Sequence, residues 1–348
     1  MTETYQPSIL VDTEGLSREE WLNYRRQGIG GSDAAAVLGI SPWRTARDLY
    51  YDKLGVVSVF DEDSSWVQLE VGHLLEPLVA RIFEKKTGFK VYQRKSMFQH
   101  PAYPWMLADL DYLVELPDGG TAILEIKTCN YNAKDNWWYN GKEIVPIYYE
   151  SQVRHYMCVM NIDRVYFCCL YGNTEDEAII RTLDRDMDYE NELITLESAF
   201  WNDYVLAKNP PPYTEGGDLI MESLNRWLGP NEKDIPPTEL DVSQYALVQR
   251  YMELQQQRGR CDTDKKAIES EMNRIKALII AAMGRSSTAF YDCGDGGIRV
   301  TYNPVRKPGI SKENLDRLKI VHPDIYDEFV TIQESRRFSI KQTKPLAA

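Results

Sequence analysis

The chain has no run approaching the roughly 18 apolar residues that a membrane span requires, so no membrane association is expected. Its first residues, Met1 to Val11, lack the basic-then-apolar order of a secretory leader, and a cytoplasmic protein is the expectation. Cysteine is scarce: Cys129, Cys158, Cys168, Cys169, Cys261 and Cys293 show no CxxC spacing and no disulfide-framework density, so reduced thiols are expected. The four histidines are scattered. Zinc and iron–sulfur chemistry are thereby excluded, and any metal should be hard and oxygen-liganded. Positive charge is also short. Forty Lys and Arg against 53 Asp and Glu leave a net charge of −13, which excludes indiscriminate binding to nucleic acid. A local basic groove remains compatible, because a phosphate senses charge only within a screening length of about 8 Å. No internal repeat is evident.

What is present fits a globular protein: 348 residues, 43% hydrophobic and 27% charged, enough for one large domain with an appendage or for two. Ser17 and Glu20 form a capping-box pattern, which predicts a helix from Arg18 carrying Trp21 and Arg25. A Gly28–Gly31 turn then opens a helix over Ala34–Leu38, with Ser32 or Asp33 as its N-cap. Ser41-Pro42 predicts another helix start, ending near Lys53 with Gly55 as the stop. Leu69, Gly72, Glu76, Val79 and Phe83 recur at helical spacing across about Trp66 to Thr87. Strands are predicted at Lys90–Gln93, Met106–Val114 and Thr121–Thr128, with a turn at Pro117-Asp-Gly-Gly120. A helix at Tyr148–Met160, strands at Val165–Tyr171 and Ala178–Leu183, and a helix at Tyr189–Ala207 complete a first domain, residues 1–208.

Residues 209–240, opening on Asn209-Pro-Pro-Pro212, read as a linker. From 241 to 348 the pattern predicts a helical, coiled-coil-like arm with a small α/β tail. Leu247, Tyr251, Leu254, Ile268, Met272, Ile275 and Ile279 keep a three-four spacing. Gly259 is a candidate break dividing the arm into two helices. The tail has β-like stretches at Gly297–Tyr302 and Arg337–Ile340 and a short helix near Lys312–Leu318.

The chemistry concentrates in Glu125-Ile-Lys127. Alternation along a strand puts Glu125 and Lys127 on one face and Leu124 and Ile126 on the other. If the turn centres on Asp118, Asp111 stands opposite Glu125. Two carboxylates so close repel each other unless a cation sits between them. A Mg²⁺ or Mn²⁺ held by Asp111, Glu125 and the carbonyl of Ile126 would resolve that, with Lys127 handling water and phosphate charge. The alternative is a solvated hairpin face with an ordinary Glu–Lys pair. Glu76, a carboxylate in an apolar stripe, needs a polar partner. Gln152 and Tyr156 share a helical face from which Gln152 could hydrogen-bond a DNA phosphate or the catalytic centre, and Arg154 and His155 flank it, within reach of a DNA backbone. Ser32 at a helix N-terminus, with Arg25 and Arg26 upstream, forms a candidate anion pocket. It is not a P-loop, because no GK[ST] follows.

Gly28-Ile-Gly-Gly-Ser-Asp-Ala-Ala-Ala-Val-Leu-Gly-Ile-Ser-Pro-Trp43, Gly72-His-Leu-Leu-Glu-Pro77, Ala108-Asp-Leu-Asp111, Glu125-Ile-Lys127 and Gln152-Val-Arg-His-Tyr156 together resemble the YqaJ-type viral recombinases. These are relatives of phage lambda exonuclease in the PD-(D/E)xK nuclease superfamily. The resemblance covers about residues 17 to 205. It implies an α/β fold with a central mixed β-sheet flanked by helices, a restriction-endonuclease-like core, here with a helical C-terminal extension. It implies Asp111 and Glu125 as metal ligands, Lys127 as the catalytic lysine and Glu76 as an auxiliary acid. Arg25 and Ser32 would bind a 5′-terminal phosphate, and Gln152 and Tyr156 match a QxxxY motif. Leu110 replaces the usual proline, which leaves Asp109 as an alternative to Asp111.

The implied activity is Mg²⁺-dependent 5′→3′ digestion of linear duplex DNA, leaving 3′ single strands for phage-type recombination. The implied setting is a bacterial or phage-infected cell. The implied partners are duplex DNA ends and a single-strand annealing protein, with a homo-oligomer, a ring trimer among the options. An endonuclease of the same fold and a DNA-end-binding scaffold are the competing expectations.

Overall fold

The structure, a computed structural model, describes residues 5–56, 62–228, 242–283, 285–292, 297–302 and 310–330. It divides into two compact units, Met1–Lys233 and Asp234–Ala348. Among the described residues no helix is long and apolar enough to cross a membrane.

The first unit begins with β1 (Ser8–Asp12) and α1 (Arg18–Arg25). The capping box forms as the sequence predicts: Ser17 Oγ accepts from the Glu20 amide and Glu20 Oε2 accepts from the Ser17 amide. Next come β2 (Ile29–Gly30), α2 (Gly31–Val37), α3 (Ala46–Lys53) and α4 (Glu62–Thr87). Two predicted caps move. Gly30, not Ser32 or Asp33, caps α2, because the Asp33 carboxylate reaches back to the Gly30 amide at 2.9 Å. Thr45 caps α3 through a reciprocal pair with Asp48, while Ser41 accepts from the Trp43 and Arg44 amides in the turn before it.

Strands follow: β3 (Lys90–Tyr92), β4 (Ser96–Gln99), β5 (Met106–Ala108), β6 (Tyr112–Glu115) and β7 (Thr121–Thr128). The predicted strand Met106–Val114 is therefore two strands, broken at residues 109–111. Its halves serve different sheets, one ordered β1-β4-β5-β2 and the other containing β3, β6 and β7. A 3₁₀ segment, Tyr131–Trp137, leads to a small hairpin of β8 (Trp138–Tyr139) and β9 (Lys142–Glu143). Then α5 (Ile147–Met160) crosses to β10 (Arg164–Leu170), which lies parallel to β7, and β11 (Ala178–Asp184) closes the second sheet in the order β11-β10-β7-β6-β3. The unit ends with α6 (Met187–Ala199), a π-helical turn Phe200–Leu206 and α7 (Gly217–Leu228). This is a mixed α/β fold with mixed sheets flanked by helices.

The second sheet carries the core on both faces. On one, Val79, Ala80 and Phe83 of α4 pack on Leu124, Ile126, Tyr166 and Cys168. On the other, Val153 and Met157 of α5 pack on Ile123, Phe167 and Cys169. Alternation along β7 thus sends Leu124 and Ile126 toward α4, and Ile123 toward α5, where Glu125 and Lys127 also point.

Residues 217–228, expected as linker, form a helix because α3 supplies its partners. Ser223 donates to Asp48 at 2.7 Å, Arg226 pairs with Asp48 at 2.7 Å, and Trp227 packs on Tyr51. In the second unit α8 (Val242–Met283) runs 42 residues without a break at Gly259. At 1.5 Å per residue it is roughly 60 Å long. An isolated glycine costs only about 1 kcal/mol, too little to stop a helix of this length. The hairpin β12 (Thr288–Asp292) and β13 (Gly297–Thr301) and helices α9 (Lys312–Val321) and α10 (Pro323–Phe329) complete the unit. The β-like stretch predicted at Arg337–Ile340 lies outside the described residues.

Candidate active site

The hairpin of β6 and β7 has the register expected from its turn: Tyr112 faces Leu124 and Leu113 faces Ile123. The break before β6 leaves Asp111 free of the ladder, and its Oδ2 accepts from the Ile126 amide at 2.8 Å. Glu125 is 1% exposed. Its Oε1 accepts from Lys127 Nζ at 2.6 Å and from Gln152 Nε2 at 2.6 Å. Gln152 Oε1 accepts from Lys127 Nζ at 3.2 Å, closing a three-residue ring of hydrogen bonds. Tyr156, one turn along α5, accepts from Gln152 at 3.3 Å. α5 reaches this face because α2 approaches it closely at Gly31. A Cβ there would lie 2.4 Å from the Tyr156 ring and 2.8 Å from the Gln152 carbonyl oxygen.

One atom in this ring is left over. Glu125 Oε2 is buried and has no hydrogen-bond partner. An anionic oxygen in that state is costly unless a cation or proton meets it. Burial and the charge of Glu125 push the Asp111 carboxyl well above its usual range. Burial chiefly, with Glu125 adding, raises Glu76 as well. Lys127 is raised as well: burial would strip its proton, but the carboxylates of Glu125 and Asp111 outweigh that and hold it charged. The centre has a surplus of carboxylate and one bare oxygen. Among the described residues no group of three or more His, Cys, Asp or Glu side chains is arranged to hold a metal. Asp111 and Glu125 are two all-oxygen donors, and a backbone carbonyl would complete the set. That donor set and the bare oxygen fit a hard divalent cation.

Glu76, Asp109, Asp111, Tyr156, Arg25 and Ser32 line one cavity of about 370 Å³. Glu76 accepts from Gln93 at 3.2 Å. Asp109, the alternative ligand, accepts from the Trp21 indole at 2.7 Å. That bond occupies the carboxylate with α1, whereas Asp111 faces Glu125.

The anion corner is more elaborate than the sequence indicates. Arg25 donates to Ser32 Oγ and, at 2.7 Å, to Asp33. Asp33 is fully buried and also holds Arg44 at 2.5 Å and Lys53 at 2.7 Å. Three cations thus converge on one carboxylate beside Ser32, which leaves net positive charge there. The roles of Asp33, Arg44 and Lys53 were missed, since their helical spacing reads as ordinary surface charge. The two basic residues sit on α3 and the turn before it, and only the packing of α2 on α3 unites them with Asp33.

Two expected DNA contacts are corrected. Arg154 is buried, donating to the Asp184 carbonyl at 2.6 Å and to Glu150 at 2.9 Å. His155 is fully buried between Glu197 and the Leu107 carbonyl, each at 2.9 Å. Both face inward because α5 is covered on several sides, by α2, α6 and the strands; neither is placed to meet DNA.

A family model described as a YqaJ-like viral recombinase domain matches residues 20–163, which contain Glu76, Asp111, Glu125, Lys127, Gln152 and Tyr156. The chain is 31% identical over 338 residues to protein YqaJ of Bacillus subtilis (strain 168), covering 96% of this chain and 97% of that one. The chain belongs to the YqaJ family. Among solved structures it is similar to an alkaline exonuclease from Laribacter hongkongensis, with 21% identity, 55% of this chain and 94% of that chain covered, and a TM-score of 0.44. A phage related exonuclease from Haemophilus somnus 129PT gives 11% identity, 54% and 99% coverage, and a TM-score of 0.38.

Proposed function

We propose that this protein is a divalent-cation-dependent exonuclease that digests one strand of linear duplex DNA from its 5′ end. The remaining 3′ single strand would enter recombination by strand annealing. The observation that carries the reading is Glu125 Oε2, a buried carboxylate oxygen with no partner, beside Asp111 and a lysine held charged. Asp111, Glu125 and the Ile126 carbonyl would hold Mg²⁺, with Mn²⁺ as a substitute. The cation would act as a Lewis acid toward the phosphodiester. Lys127 orients the attacking water and balances charge gathering on the phosphate. Gln152, bonded to both Glu125 and Lys127, fixes their separation and leaves Oε2 the free oxygen. Glu76, its carboxyl raised chiefly by burial, lines the same cavity as an auxiliary acid.

Arg25 and Ser32 favour an end-directed enzyme, because they line the same cavity as Asp111 and Glu76. A terminal phosphate dianion there would take charge-assisted hydrogen bonds within reach of the acidic centre. The partners that go with this reading are duplex ends, a single-strand annealing protein and further copies of the chain, in a bacterial or phage-infected cytoplasm.

The test is digestion of end-labelled linear duplex beside closed circular DNA, with Mg²⁺ or with EDTA, for the parent and Glu125→Gln. Loss of nucleotides from linear DNA only, dependent on Mg²⁺ and reduced at least about 10²-fold in the variant, is expected. Cutting of closed circles would replace exonuclease with endonuclease. Full activity of a folded Glu125→Gln protein would remove the assignment altogether.

A further inference from the structure

A second concavity, of about 1050 Å³, opens where β7 ends, with Thr128 and Cys129 in its wall, the residues directly after Lys127. Its lining is aromatic, from Trp43, Trp137, Trp138, Tyr139, Tyr148 and Tyr149. The rings brace one another. Trp43 meets Tyr148 edge-on with centroids 5.0 Å apart, Tyr148 meets Tyr149 at 4.6 Å, and Tyr149 stacks near Trp137 at 6.0 Å. Trp137 is buried against Phe167 and anchors the row. The outer rings are nevertheless open, Trp43 being 55% and Tyr139 68% exposed. Exposed aromatic surface held rigid in this way is an unused binding face.

Cations accompany the rings. Lys127 Nζ lies 4.9 Å from the Tyr149 centroid, Lys134 lies 5.7 Å from Tyr171, which also lines the groove, and Arg181 lies 5.0 Å from Trp138. Asp135 on the wall and Glu143, paired with Arg181 at 3.4 Å, offset part of that charge. Exposed rings, amides of Asn130 and Asn136 between them, and cations over the faces of Tyr149, Tyr171 and Trp138 match what unpaired nucleotides require. Every base has a π-face, and the backbone needs nearby positive charge.

We propose that this groove binds an unpaired DNA strand, its bases stacked on Trp43, Tyr139 and Trp138, immediately beside the cleavage centre. The proposal rests on the nuclease reading for its purpose. A duplex digested on one strand must separate its strands at the acidic centre, and Tyr149, in contact with Lys127, is the first ring past that centre. The groove then holds the frayed nucleotides and keeps the end from re-annealing.

The test uses the full chain in EDTA, a fluorescein-labelled thymidine oligonucleotide read by anisotropy, and a 5′-phosphorylated blunt duplex in parallel. Trp43→Ala and Tyr139→Ala should each weaken binding of the single strand by roughly 5- to 100-fold, the range seen for loss of one stacked base. Trp43→Phe should restore most of it, and duplex-end binding should change far less. Unchanged single-strand affinity in both alanine variants, with unchanged melting temperatures, overturns the proposal. So does equal loss in Trp43→Ala and Trp43→Phe, which would mean the ring is not a stacking surface. Ring-dependent binding in a protein that hydrolyses no duplex with Mg²⁺ supports the groove and removes the nuclease. Normal duplex digestion with ring-independent binding removes the groove and leaves the nuclease.

Discussion

Asp33→Asn should be among the most damaging single substitutions in the first unit. Asp33 Oδ1 accepts from Arg25 at 2.7 Å and Arg44 at 2.5 Å, and Oδ2 accepts from Lys53 at 2.7 Å and the Gly30 amide at 2.9 Å. Lys53 is itself fully buried at the side chain. Neutralising the carboxylate leaves buried cations without their counter-charge, a class of change that costs about 3–5 kcal/mol. For a unit of this size, each kcal/mol moves the melting temperature by about 2–4 °C, so a fall of about 6–20 °C is expected. Calorimetry reads it. Asp33→Asn combined with Lys53→Met should recover part of the loss, because the second change removes a buried unpaired ammonium.

The pH dependence has a definite sign. Burial alone would raise the Asp33 carboxyl, but Arg25, Lys53 and Arg44 outweigh it and hold the value well below normal. A depressed carboxyl contributes stability that is present above its unfolded value of about 3.9 and is lost as pH falls through the folded value. The gap between parent and variant should therefore be widest above about pH 4 and close below it. A melting temperature lowered by less than about 3 °C at neutral pH, or a gap that widens in acid, would refute the argument.

Three further outcomes follow from the geometry. Gly31→Ala forces a methyl to 2.4 Å from Tyr156 and should destabilise by about 1–3 kcal/mol while displacing Gln152; urea titration beside a DNA digestion assay reads both effects. For the buried His155–Glu197 pair, burial would lower the histidine, but the Glu197 charge and hydrogen bonds to Glu197 and Leu107 outweigh it and raise it; burial raises Glu197 too. The raised histidine keeps its proton on the folded state, so its contribution is full below about pH 6.5 and fades as pH rises through the folded histidine value, whereas the raised Glu197 carboxyl begins to give up its own contribution above about pH 4.3; His155→Gln should abolish the histidine slope in melting curves between pH 6 and 9. Ser32→Ala should reduce any rate advantage of 5′-phosphorylated over 5′-hydroxyl duplex ends, and an undiminished preference would place the phosphate elsewhere.

Much of this was legible in the chain. Period-two alternation identified which face of β7 carries Glu125 and Lys127, because a strand with a packed face admits no other arrangement. The Pro117–Gly120 turn set the hairpin register, and the Ser17–Glu20 box located α1. What escaped depended on partners far away in sequence. Nothing in Met106–Val114 says that the chain changes sheets at residues 109–111; the change follows from β4 and β2 claiming β5, while β3 and β7 claim β6. Arg154 and His155 look like surface residues on an amphipathic helix, yet α5 is covered by α2 and α6. Residues 217–228 follow a proline-rich stretch that resembles a linker, and only Asp48 and Tyr51 on α3 make them a docked helix. In α8 the helix is continuous, and Leu247, Ile268 and Met272, spaced for a seam in the sequence, are exposed along it.

Asp33 and Glu125 are both buried to within 1% of complete, and physical chemistry separates their roles. Each oxygen of Asp33 has two donors, and three of the four come from cations. Its charge is satisfied many times over, and its carboxyl is held far below the normal range. Such a group has no capacity left for a ligand; it organises Arg25 and so the corner that Arg25 shares with Ser32. Glu125 has both of its donors on one oxygen and none on the other, beside a second carboxylate, Asp111, that is pushed up by burial and by the charge of Glu125. The first arrangement is complete as it stands, and the second leaves a bare oxygen that a divalent cation would meet. Isothermal titration with Mn²⁺ separates them without any DNA: Glu125→Gln should abolish tight binding at this centre, and Asp33→Asn, at a temperature where it stays folded, should leave it within a few fold. Equal loss in both variants would mean that the Asp33 cluster, and not the Glu125 oxygen, governs the site.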